Sequence, residues 1–91
     1  MASVLVTFRI LPESPEVDLD AMEADCLKMV QNFGALSTKV ERAPFAFGLV
    51  ALNIMFVLNE AKGDTEPLED LLRNADGVQS VEVTDVRRTF G

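Results

Sequence analysis

The chain has 91 residues, no histidine and a lone cysteine, Cys26, so a single small domain over residues 1–91 is expected, with no intrachain disulfide and no His-based zinc set or catalytic triad. With 15 Asp and Glu against 8 Lys and Arg the formal net charge is -7, which argues against nucleic acid as a direct ligand and leaves protein as the default partner. No uncharged apolar run reaches 18 residues, and no basic-then-apolar leader opens the chain, so no membrane association is expected and the cytoplasm is the expected compartment.

From Ser3 to Leu11, Val4, Val6, Phe8 and Ile10 alternate with Leu5, Thr7 and Arg9, the period-2 pattern of a strand with one strongly apolar side. Pro12 and Pro15 end it. Leu19, Met22, Cys26, Met29, Val30 and Phe33 then recur at helical spacing, with Asp18 as N-cap and Gly34 as stop, predicting an amphipathic helix of about four turns. Leu36, Thr38, Val40 and Arg42 alternate with Ser37, Lys39 and Glu41, giving a more polar, edge-type strand closed by Pro44. Leu49 to Leu58 is almost continuously apolar and reads as a central strand whose Val50, Leu52, Ile54, Phe56 and Leu58 meet the helices. Glu60 to Asp64 is a turn-rich linker. Thr65 is the expected cap of a second helix with Pro67 in its first turn, a buried stripe of Leu68, Leu71, Leu72 and Ala75, and an end at Asp76-Gly77. Val78 to Val86 alternates loosely around Val81 and Val83 as a fourth strand, followed by a short tail, Arg87 to Gly91.

The order β-α-β-β-α-β predicts an α+β fold, the ferredoxin-like sandwich. It is a four-stranded antiparallel sheet with both helices on one face and the first and third strands central. In that topology the hairpin tip around Phe47 and the C-terminal tail lie at opposite ends of the sheet, and eight residues of strand span roughly 26 Å.

Phe45-Ala46-Phe47-Gly48 sets two large rings where a tight turn is expected, and an exposed aromatic at a hairpin tip usually meets a partner. If the strand continued through the tip, Phe45 and Phe47 would share a side and one ring would belong to the core; in a second arrangement both rings fold back over the sheet end. Cys26, at a core spacing of its helix, reads as a small buried hydrophobe. Asp64, Glu66, Glu69 and Asp70 match no calcium loop and suit a helix start. No metal site and no cofactor is expected.

Two stretches carry a resemblance that goes beyond fold: Pro44-Phe45-Ala46-Phe47-Gly48-Leu49 at the tip, and Val81-Glu82-Val83-Thr84-Asp85-Val86-Arg87-Arg88 at the end. Leu5-Val6-Thr7, Pro12-Glu13-Ser14-Pro15 and Ala46-Phe47-Gly48-Leu49-Val50-Ala51-Leu52 support it. From Val4 to Arg88 the chain resembles archaeal elongation factor 1-beta, the nucleotide-exchange factor for the GTPase elongation factor 1-alpha. The resemblance implies a chain without covalent chemistry that binds elongation factor 1-alpha, GDP-bound and nucleotide-free, and speeds GDP release so that aminoacyl-tRNA delivery continues. It implies partner contacts at Phe45, Ala46, Phe47 and Gly48, with Phe47 foremost, because the matching aromatic of eukaryotic relatives touches the second domain of the GTPase. It implies a tail contact as well, at Asp85, Arg87 and Arg88. Eukaryotic relatives place a lysine near the C-terminus, toward the Mg²⁺ site of the GTPase, but the matching position here falls at about Gly91. Arg87 and Arg88 are the nearby cations, and their other reading is a solvated cap on the last strand. Those relatives also carry N-terminal extensions for assembly. Because this chain begins directly with its first strand, it is expected to act alone, as a monomer.

Two rivals come from other classes. A phosphatase of the acylphosphatase kind shares the fold and uses an arginine with an asparagine, for which Arg9 and Asn53 are available, but Leu11-Pro12-Glu13-Ser14-Pro15 replaces the glycine-rich phosphate loop. A ligand-binding or dimerising regulatory module would use the open sheet face carrying Leu5, Met55 and Val57.

Overall fold

Alternation in the first strand and a continuous apolar run in the third decide which strands are central. The computed structural model describes residues 2–62 and 64–90. Strands β1 (Ala2–Pro12), β2 (Ser37–Pro44), β3 (Val50–Asn59) and β4 (Val78–Phe90) form one sheet in the order β2-β3-β1-β4. Every neighbouring pair is antiparallel, and β1 and β3 occupy the middle as the sequence predicts. Helices α1 (Leu19–Phe33) and α2 (Glu66–Arg73) complete the ferredoxin-like β-α-β-β-α-β order.

One face of the sheet carries Val6, Phe8 and Ile10 of β1 and Leu52, Ile54, Phe56 and Leu58 of β3, all buried, while Val4 and Val50 are half-buried. Met22, Cys26 and Val30 of α1 and Leu68 and Leu72 of α2 close over them. At the centre Phe8 and Phe56 meet edge to face, with ring centroids 5.0 Å apart. Asp18 caps α1, its carboxylate accepting from the Asp20 and Ala21 amides. Gly34, at φ 120°, ends that helix where a side chain would be strained. Arg42 of β2 donates to Asp20 and Glu23 of α1, tying the edge strand to the helix layer.

The sequence reading needs correction at α2 and at the start of β2. Helix α2 ends at Arg73, short of Asp76-Gly77, because the side chain and the amide of Asn74 both donate to the Asp70 carbonyl and close the last turn. Leu71 is 54% exposed and outside the buried stripe, and Leu36 lies before β2 and is exposed. Thr65 does not cap the helix through its side chain. It sits in helical geometry, and its hydroxyl donates to the Glu69 carboxylate at 3.0 Å. The capping acceptor is Asp64, whose carboxylate takes the Glu66 amide at 3.0 Å. Replacing Asp64 by alanine is therefore expected to cost about 1 kcal/mol and more than Thr65→Ala does. Thermal denaturation of the two variants checks the order, and equal losses would return the cap to Thr65.

The presumed tail is strand: β4 continues to Phe90, pairing Arg87 with Leu5 and Arg88 with Val4. Its loose alternation has a cause. Phe8 pairs with Val83 and Thr7 with Asp85, so Thr84 is an extra residue, a bulge whose hydroxyl donates to the Thr7 carbonyl at 3.3 Å. A second irregularity falls at Pro12, which has no amide to give the ladder.

Candidate functional site

At the tip, the β2–β3 connection is a reversal with an unusual occupant. Phe45 donates its amide to the Leu49 carbonyl at 2.8 Å, and Leu49 returns its amide to the Ala46 carbonyl at 3.3 Å. The two residues between, Phe47 and Gly48, have φ of 63° and 74°. Positive φ at both central positions is the mirror-image hairpin turn, whose usual first residue is asparagine, aspartate or glycine. Phe47 is the only residue other than glycine with positive φ among the described residues. Its ring is also 92% exposed. A bulky side chain in the left-handed region costs of order 1–2 kcal/mol, and this one recovers nothing by burial. Strain at an exposed aromatic makes Phe47 the candidate contact residue of this tip.

Neither tip ring enters the core, because the turn interrupts the strand that would have aligned them. Phe45 is 36% exposed and lies on the open face of the sheet, with the Arg9 guanidinium 5.0 Å from its ring centroid. Around it a shallow hollow of about 460 Å³ includes Thr7, Arg9, Ala51, Asn53, Met55 and Thr84. Register places Glu41, Asn53, Arg9 and Glu82 in one row across all four strands. Arg9 donates to the Glu82 carboxylate. The arginine and asparagine that a phosphatase would need are thus side by side, but the guanidinium is already engaged by a carboxylate and a ring. Sequence reasoning passed over the Arg9–Phe45 contact. The signal was available, since alternation puts Arg9 on the open face near the end of β1 that the tip must approach.

At the other end, strand alternation separates Arg87 from Arg88, and the Thr84 bulge decides which face each one takes. Asp85 and Arg87 pair with Thr7 and Leu5 on the open face, and Arg87 Nε donates to Asp85 Oδ2 at 2.8 Å. Val86 and Arg88 pair with Val6 and Val4 on the helix face, where Arg88 is ion-paired with Glu60. Tip and tail end are far apart, since β1 runs from the Phe90 pairing to the Val78 pairing and the molecule measures 42 × 20 × 18 Å. Gly91 lies outside the described residues, and so does the position it would share with the eukaryotic lysine.

Cys26 is buried, and burial first and Asp25 second push its thiol up to about 11, so it stays protonated at neutral pH. Among the described residues no three His, Cys, Asp or Glu side chains are placed to hold a metal ion, and no helix is long and apolar enough to cross a membrane. Leu5, Met55 and Val57 of the open face are each half-buried.

The geometry is that of a small ferredoxin-like domain with a strained, exposed aromatic at one hairpin tip. Residues 5–89 match the profile of the EF-1 guanine nucleotide exchange domain. Elongation factor 1-beta of Methanothermobacter thermautotrophicus is 44% identical over 88 residues, covering 97% of this chain and 98% of that protein. The same factor from Methanobrevibacter smithii is 43% identical over equal shares. Among solved structures, the designed protein Foldit4 superposes with a TM-score of 0.63 at 20% identity over 98% of both chains, a likeness of fold alone. The chain therefore belongs to the elongation factor 1-beta family, and its role is that of an elongation factor 1 exchange factor in translation.

Proposed function

We propose that this chain, acting as a cytoplasmic monomer and touching no nucleic acid or membrane directly, binds elongation factor 1-alpha and accelerates GDP release so that GTP reloads it. The observation that carries this reading is the ring of Phe47, exposed and held at positive φ at the hairpin tip. Aromatic anchors of this kind supply the largest single contributions at protein interfaces. Phe45, Ala46 and Gly48 shape the anchor, and Asp85, Arg87 and Arg88 supply a second contact at the far end of the sheet. No covalent step is needed. An exchange factor that binds the nucleotide-free GTPase more tightly than the GDP-bound form weakens GDP by that same factor, because the coupling is reciprocal.

The test is the rate of fluorescent GDP release from purified elongation factor 1-alpha, with and without this chain, at several Mg²⁺ concentrations. Acceleration supports the reading; a folded chain that leaves the rate unchanged overturns it. The cations of β4 act at a rim and not in a pocket, so Arg87→Ala combined with Arg88→Ala is expected to slow exchange only about threefold at low salt, with the deficit vanishing near 1 M salt. A salt-independent loss as large as that of Phe47→Ala would place an arginine deep in the partner instead.

A further inference from the structure

The geometry points to Arg9 as the residue that positions the aromatic tip, holding Phe45 so that Phe47 is presented in one orientation. Arg9 stands on a central strand, outside the hairpin, yet its guanidinium lies 5.0 Å from the centre of the Phe45 ring. On its other side it is tethered to Glu82 of β4. Phe45 in turn closes the base of the tip loop through the hydrogen bond its N–H donates to the Leu49 carbonyl. A line of contacts therefore runs from β4 through β1 to the loop that carries Phe47. The arrangement is not the one that stability alone would select. Arg9 Nε is shielded from solvent and has no hydrogen-bond partner among the described residues, a loss that a methionine of similar length would avoid. Ring stacking is what the guanidinium gains in that position, since a cation over an aromatic face is attracted by its quadrupole. Fixing a binding loop beforehand lowers the ordering cost of association, so the benefit appears in affinity for the partner.

This inference rests on the reading of Phe47 as the partner contact, and the experiment separates the two. Exchange on elongation factor 1-alpha is measured below saturation for Arg9→Met, Arg9→Lys, Phe47→Ala and the Arg9→Met/Phe47→Ala double variant, with backbone amide relaxation at Phe47 and Gly48 recorded for each free chain. Arg9→Met is expected to weaken exchange about fivefold, the scale of one cation–π contact, and to raise tip mobility. Arg9→Lys, which keeps a cation over the ring, recovers part of the loss. The double variant is no worse than Phe47→Ala, because a positioning residue has nothing left to position. Additive losses would overturn the inference by making Arg9 a partner contact in its own right, and an Arg9→Met chain with unchanged exchange and unchanged tip relaxation would overturn it as well. If Phe47→Ala alone leaves exchange intact, the partner reading fails, and the relaxation data still decide whether Arg9 orders the tip.

Discussion

Phe47→Asn is expected to make the domain more stable and to cut its exchange activity at least about 30-fold. The two effects have separate causes. Stability rises because asparagine tolerates the left-handed region that Phe47 occupies at φ 63°, relieving about 1 kcal/mol, or roughly 4–8 °C in thermal midpoint for a domain of this size. Nothing offsets that gain, since a ring that is 92% exposed contributes no burial. Exchange falls because the anchor is gone. Central aromatic anchors cost 2 kcal/mol or more when truncated, so the rate below saturation drops at least about 30-fold. Phe47→Ala separates backbone from ring: it keeps the Cβ that makes the turn strained, so its midpoint stays near the original while exchange falls equally. Phe47→Gly relieves the strain but loosens the unfolded chain, leaving a smaller net gain than asparagine. Calorimetry and the GDP-release assay on the three variants read both axes. A Phe47→Ala chain that loses several kcal/mol of stability would show that the ring packs against its own domain, and the partner reading would fall with it.

Much of this architecture was legible because most elements are dictated locally. The alternation around Phe8, the helical spacing from Leu19 to Phe33 with Asp18 and Gly34 at its ends, and the apolar run of β3 each name their own environment. What was not legible depends on pairing between distant segments. The Thr84 bulge reverses the parity of β4, and nothing within β4 itself marks which residue is extra, because the slip is fixed by Thr7 and Phe8 on the neighbouring strand. Arg87 and Arg88 looked like tail beyond the last strand; as consecutive residues within β4 they lie on opposite faces. Leu71 looked like core because spacing alone cannot show how little of an eight-residue helix the sheet covers. At the tip the two rings were visible from sequence, but their different fates follow from a turn with positive φ at Phe47, a residue type that turn statistics disfavour there. The failure of the local rule coincides with the candidate site, as expected where a chain keeps a feature for a partner.

The opposite dissociation is expected at the centre of the core, where Phe56→Ala should cost about 3–5 kcal/mol and leave exchange intact wherever the domain remains folded. Phe56 is fully buried on a central strand, edge to face with Phe8 at 5.0 Å. Its removal forfeits both the transferred area and that aromatic contact and leaves a void that two helices and two strands cannot readily collapse into. A domain of this length holds a total stability of roughly 5–14 kcal/mol, so the loss is a large fraction of the whole. The thermal midpoint should fall by about 15–25 °C. Phe56→Leu, which retains most of the volume, should lose much less. The ring nevertheless points to the helices, away from the hollow that houses Phe45 and Arg9, and the tip turn closes through its own backbone bonds. Below its lowered midpoint, Phe56→Ala should therefore accelerate GDP release at close to the unsubstituted rate. Exchange lost at a temperature where circular dichroism still reports a folded chain would mean that the tip takes its shape from the core, and the independence of scaffold and anchor would be disproved.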